Sequence, residues 1–165
     1  MKAPRRTGGL TLVELVIALA VLAILASLAW PAFGQRIARQ RLATTAEMLA
    51  LDLAEARFEA ARSGSAIHLV FRAGSDWCYA VARSPGCDCA SDDACQIKVV
   101  RAGDAPGVVL TEAEDAAFDP AATSAMGGTA VLQGVGGEHE LRVSLSRLGR
   151  ARVCSPSGLT GSPAC

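Results

Sequence analysis

Aromatic side chains make up only 4% of the 165 residues, histidine occurs twice, and the formal net charge at pH 7 is zero. The scarcity of histidine narrows the chemistry. Neither His68 nor His139 comes with a Ser or Cys nucleophile and a third, orienting group, so no hydrolytic triad is legible. His68 alternates with apolar neighbours and reads as a solvent-facing strand residue, whereas His139 sits in a Gly- and Glu-rich turn. The ligand pairs C-x-x-C and C-x-x-H are missing too. The six cysteines include a C-x-C at Cys87 and Cys89 followed by five residues before Cys95, and both histidines lie outside that cluster. Structural zinc is therefore a poor match, and neither metal nor cofactor is expected. The chain reads as a non-enzyme.

What is present is a long apolar run with one charge inside it. Leu10 to Trp30 spans 21 residues, and Glu14 is the only charge among them. As a helix the run is about 32 Å long, which matches a hydrocarbon core of about 30 Å. A lone carboxylate in hydrocarbon costs a few kcal/mol, so Glu14 marks a functional position and needs a cation. Lys2, Arg5 and Arg6 precede the run with no acid among them. That bias keeps the start in the cytoplasm and sends the bulk of the chain across the membrane. An ordinary secretory signal is the competing reading, with Ser27-Leu28-Ala29 as its small-residue cleavage site. The run is longer than such signals use, and Glu14 has no place in one.

Beyond Trp30 the helical period continues. Leu42, Ala46, Leu49, Leu53, Ala56 and Ala60 draw one apolar stripe, with Arg39, Arg41, Glu47, Glu55 and Glu59 outside it. Pro31 is expected to kink or loosen the helix. Gly64, after Arg62-Ser63, is the expected left-handed cap. The period then becomes extended. Strands are expected over Ala66–Phe71, Asp76–Ala82, Gln96–Arg101, Val108–Thr111, Thr129–Gln133, Leu141–Leu145 and Arg150–Ser155. Ser84-Pro85-Gly86, Asp104-Ala105-Pro106-Gly107, Gly127-Gly128 and Gly134–Gly137 punctuate them. The fold class is α+β: a long N-terminal helix, half membrane and half amphipathic, packed on an antiparallel β-sheet domain. Its divisions are a basic start at 1–9, which the resemblance given below makes a leader peptide, a membrane helix at 10–30, the amphipathic half at 31–64 and a disulfide-bonded domain at 65–165.

All six cysteines follow the membrane segment, which points to disulfides in an oxidising compartment. Cys154 with Cys165 ties down the C-terminus. Among the rest, a Cys87–Cys89 bridge is sterically poor, so Cys78 joins one of that pair and Cys95 the other. The Cys87–Cys95 stretch also holds Asp88, Asp92 and Asp93. Three carboxylates fall short of the six to eight oxygens calcium takes, and the stretch reads as a solvated loop.

Net neutrality hides a separation of sign. Ala66–Glu140 carries four basic against eleven acidic residues, whereas Leu141–Cys165 carries Arg142, Arg147, Arg150 and Arg152 and no acid. Either the end faces something anionic, or it neutralises the acidic middle. On a strand, Arg150 and Arg152 share one face about 7 Å apart, and Arg142 and Arg147 widen the patch. That spacing lets two guanidiniums straddle adjacent phosphates. With no aromatic beside them to stack on bases, any nucleic-acid binding is phosphate-led and salt-sensitive.

Gly9-Leu10-Thr11-Leu12-Val13-Glu14-Leu15 resembles the prepilin-peptidase site of type IV pilins and type II secretion pseudopilins. The resemblance implies cleavage after Gly9 and methylation of the new Leu10 amine; Leu10 stands where that family usually has Phe. It also implies retention of the helix and pairing of Glu14 with the Leu10 amine of a neighbouring subunit. The layout as a whole resembles the GspH/FimT branch, with echoes at Phe118-Asp119-Pro120 and Gly149-Arg150-Ala151-Arg152-Val153-Cys154. Gly-Arg-x-Arg resembles the motif by which some FimT-like minor pilins grip DNA in natural transformation. The implied roles are a minor pilin of a type IV pilus, a DNA-binding minor pilin for DNA uptake, or a minor pseudopilin of a type II secretion system. The implied partners are other pilins or pseudopilins, prepilin peptidase, the inner membrane and double-stranded DNA. The implied location is the bacterial inner membrane, crossed once, with the C-terminal domain in the periplasm.

Overall fold

The computed structural model describes residues 11–121, 125–137, 139–159 and 161–165, and the side chains of all of these except 28–32 and 135. It divides into two units, Met1–Ile37 and Ala38–Cys165. Helix α1 (Leu12–Ser63) is assigned through both. Thr11 starts it: its Oγ1 accepts the Glu14 backbone N–H at 3.2 Å. Thr-x-x-Glu is the sequence of a capping box, and the acid in the first turn suits the positive end of the helix dipole.

From Leu12 to Ser27 the helix is apolar apart from Glu14, and Leu12, Val13, Leu15, Val16, Ile17, Leu19, Val21, Leu22, Ile24 and Leu25 are all more than half exposed. Among the described residues no helix is long and apolar enough to cross a membrane. The apolar stretch with described side chains stops at Ser27. Leu12–Ser27 is only about 24 Å of helix, against about 30 Å of hydrocarbon.

In the second unit α1 buries the expected stripe: Leu42, Ala46, Leu49, Leu53, Ala56 and Ala60 are all at most 4% exposed. Each buried leucine contributes roughly 2 kcal/mol relative to exposure. Gly64 ends the helix with φ +64°, and its N–H donates to the Ala60 carbonyl at 3.1 Å. A positive φ of that size is the left-handed cap that glycine tolerates best.

The stripe packs against two antiparallel sheets. The first has the order β3 (Gln96–Arg101), β2 (Cys78–Ala82), β1 (Ile67–Arg72), β5 (Ala116–Phe118), β6 (Ala125–Met126). The second runs β4 (Val108–Ala113), β7 (Thr129–Gly134), β8 (Glu140–Leu145), β9 (Ala151–Cys154). Ile67, Leu69, Tyr79, Val81 and Phe118 from the first sheet and Leu110, Leu132, Leu141 and Val143 from the second join the helix in one core. Alternation explains the second sheet: β8 buries Leu141, Val143 and Leu145 and leaves Glu140, Arg142 and Ser144 half-exposed. β2 breaks that rule, being buried at all five positions. Its far face is covered too, where Val70, Cys78, Ala80, Ala82, Cys87 and Cys89 form a second small core.

Two strands are additions to the expected set. β5 and β6 have three and two residues, too few to show a period of two. One boundary is a correction. β9 starts at Ala151, so Arg150 lies just outside the strand on which it was expected.

One buried acid holds the helix to the first sheet. Asp52 is 3% exposed. Its Oδ2 accepts the Tyr79 hydroxyl at 2.8 Å, and its Oδ1 accepts the Lys98 ammonium at 2.6 Å. Tyr79 in turn stacks on Trp77 at 6.4 Å, and the Trp77 indole N–H donates to the Val108 carbonyl at 2.7 Å.

Candidate assembly and nucleic-acid-binding sites

Gly9 and Leu10, the expected cleavage and methylation positions, lie outside the described residues. Glu14 is exposed in the first turn of α1. Among the described residues no cation pairs with its carboxylate.

The cysteines pair as Cys78–Cys89, Cys87–Cys95 and Cys154–Cys165, with Cα–Cα distances of 5.8, 6.0 and 4.9 Å. The first two pin the 83–95 loop over the far face of β2 and create the small second core. The third is backed by a parallel bridge between Ser155 and Ala164. Cys87, Asp93 and Cys95 bring three ligand-type atoms within 4.8 Å of one another. Both sulfurs are spent in a disulfide, so no thiolate is on offer there. The loop acids also diverge: Asp88 accepts the Ala90 N–H at 3.0 Å, and Asp92 pairs with Arg101 at 3.0 Å. Carboxylates with separate partners do not converge on one cation.

The arginines of the C-terminal segment split into two groups. Arg147, Arg150 and Arg152 are exposed around the β8–β9 hairpin. The turn is pinned by reciprocal bonds. The Ser146 N–H donates to the Arg150 carbonyl at 3.0 Å, the Arg150 N–H to Ser146 Oγ at 3.1 Å, and the Gly149 N–H to the Ser146 carbonyl at 2.8 Å. Ala151 and Val153 pack on the core, which leaves Arg152 facing outward opposite Ser144. Among the described residues none of these three arginines has an acidic partner within ion-pair distance. Arg142 stands apart. It is half-buried on β8, 3.8 Å from Glu140, and its Nε is buried without a partner. The hairpin therefore presents three of the four expected cations, and Arg142 is engaged elsewhere.

Arg57 was not expected to belong with this group. Gly149 is buried at φ +72°, and a Cβ built there would meet Arg57 Cδ at 3.1 Å, Nε at 3.2 Å and Cζ at 3.4 Å. The α1 side chain thus lies directly over the turn from which the three arginines project. His68 is half-buried on β1, and His139 Nε2 accepts the Arg39 Nε–H at 2.6 Å.

The family model for the type II transport protein GspH matches residues 45–149. The chain belongs to that family. A model for the prokaryotic N-terminal methylation motif matches residues 4–30 of this GspH-family chain. Crystal structures of the Pseudomonas aeruginosa (strain PAO1) type IV minor pilin FimU share its fold at 21% identity. One covers 75% of this chain and 96% of its own, with a TM-score of 0.54. A second crystal form covers 73% and 98%, with a TM-score of 0.51. No curated protein matches the chain. The family and the methylation motif together make this a type IV pilin-like protein, a membrane-anchored component of a pilus or pseudopilus. The GspH match stops at Gly149, so Arg150, Arg152 and the last disulfide lie beyond it.

Proposed function

We propose that this GspH-family protein is a minor pilin, a structural and assembly subunit of a type IV pilus. In this reading prepilin peptidase cuts after Gly9, the Leu10 amine is methylated, and residues 10–30 hold the subunit in the inner membrane with 65–165 in the periplasm. The observation that carries it is the Leu12–Ser27 stretch of α1, an apolar rod with its large side chains exposed and Glu14 as its one charge. Such a rod is stable only in lipid or against other apolar helices. A neighbour's Leu10 amine would neutralise Glu14 and set the register, while apolar packing supplies most of the attraction. The second unit offers more contact surface. Met48, Leu51 and Phe58 are 46, 67 and 69% exposed on the side of α1 turned away from the core stripe. Exposed apolar side chains grouped in this way suit a partner subunit.

Mass spectrometry of the membrane form should find Leu10 as the first residue, and Gly9→Ala should block the cut. An N-terminus at Trp30 would mean an ordinary signal peptide and refute the reading. Glu14→Gln should lower incorporation into filaments. Co-purification with secretion pseudopilins instead of pilins would move the same subunit to a type II secretion system.

The unpaired arginine hairpin favours a second role for the same subunit, binding double-stranded DNA through phosphates at Arg147, Arg150 and Arg152. Replacing Arg150 and Arg152 by Ala should weaken DNA retention in a gel shift while piliation persists. Unchanged retention would sink this role.

A further inference from the structure

The hairpin carrying Arg147, Arg150 and Arg152 is exposed at Ser146, Arg147, Leu148 and Arg150, yet Gly149 between them is buried. The three nearest atoms to a Cβ built at Gly149 all belong to Arg57, a residue of a different element. Two properties of glycine are in use at this position. The positive φ closes the turn at little steric cost, and the missing Cβ leaves room for the arginine side chain to lie against the backbone.

We propose that Arg57 is a positioning residue for the arginine hairpin: its side chain, laid over Gly149, fixes the turn so that the flanking guanidiniums point to solvent in one arrangement. The inference rests on the DNA-binding reading above. The physical need is plain. Free arginine side chains and a mobile turn must be ordered when phosphate is bound, and that ordering subtracts from affinity. A turn already held by the rigid helix loses less. Arg57 suits this task because α1 is anchored beside it by Leu53, Ala56 and Ala60 in the core. Its nearest atoms are Cδ, the end of the aliphatic stem, and Nε and Cζ of the guanidinium, so the bulk of the outer side chain covers the turn.

The test uses the full chain in detergent with a fluorescent DNA duplex, titrated at several salt concentrations, together with hydrogen exchange at the Gly149 and Arg150 amides. Four variants are compared: Arg57→Ala, Arg57→Met, which keeps an unbranched stem without charge, Arg150→Ala/Arg152→Ala, and wild type. Arg57→Ala should weaken binding about fivefold and speed exchange at both amides, with the salt slope unchanged. Arg57→Met should stay close to wild type in both readouts. The double variant should lower the slope by about two, as lost phosphate contacts do. Wild-type exchange in Arg57→Ala overturns the positioning role. So does a slope lowered by about one in both Arg57 variants, which would make Arg57 a phosphate contact. If the double variant binds as wild type does, the DNA reading fails, and exchange in Arg57→Ala still decides whether Arg57 holds the turn.

Discussion

Asp52→Ala tests the anchor between α1 and the first sheet most directly. Asp52 is 3% exposed and receives both the Tyr79 hydroxyl and the Lys98 ammonium. Removing it orphans a Tyr79 hydroxyl in a residue that is 2% exposed, at a cost of about 1–3 kcal/mol. The space left by the carboxylate adds about 1 kcal/mol. Lys98 contributes little to the loss, because its side chain is 42% exposed and turns to water. The total is about 3 kcal/mol, or a fall in Tm of roughly 10 °C for a domain of this size. The same pair predicts an alkaline limb. Burial, then the Asp52 charge and hydrogen bond, push the Tyr79 hydroxyl well above its ordinary range. A pKa raised in the folded state stabilises fully below the unfolded value of about 10. That stabilisation is lost by about 1.4 kcal/mol per pH unit as pH climbs further, since only the unfolded chain releases the proton. Tyr79 is the one tyrosine, so tyrosinate absorbance reports it alone and should rise only with unfolding. Thermal melts of wild type, Asp52→Ala and Tyr79→Phe from neutral pH to about pH 11 supply the comparison. An Asp52→Ala melt within a degree or so of wild type, or an equally steep alkaline limb in Tyr79→Phe, would refute the reasoning.

Two further outcomes follow from local geometry. Cys154→Ser/Cys165→Ser opens a loop of ten intervening residues, and should cost about 2–3 kcal/mol in a denaturant titration while β8 and β9 keep their exchange protection. Gly128→Ala would place a Cβ 2.7 Å from the Glu114 carbonyl and 3.2 Å from the Ala116 Cβ; backbone must move, so a loss of about 2 kcal/mol is expected, read as a lower midpoint with unchanged slope.

Features that repeat along the chain are legible in the sequence. The α1 stripe is readable because six residues recur at helical spacing over nearly twenty positions, and all six are buried. The longer strands are readable within one or two residues at either end, because branched and aromatic side chains alternate between turn residues. β5 and β6 are not, since three and two residues carry no period. Arg150 falls one position outside its expected strand. The run Arg-Ala-Arg-Val has an extended pattern throughout, but the turn bonds to Ser146 claim its first residue.

The sequence by itself determined the apolar rod with its single acid, the stripe that makes its continuation amphipathic, and the gathering of positive charge at the end. These are properties of neighbours along the chain, set by side-chain type and the fixed periods of helix and strand. Only the tertiary structure decided that Cys78 takes Cys89 and not Cys87, that Asp52 is the buried partner of Tyr79 and Lys98, and that Arg57 covers Gly149. The choice between Cys89 and Cys87 turns on how the loop after β2 folds back over that strand, whereas Asp52, Tyr79 and Lys98, like Arg57 and Gly149, come from elements distant in sequence that only strand order, register and the packing of α1 bring together.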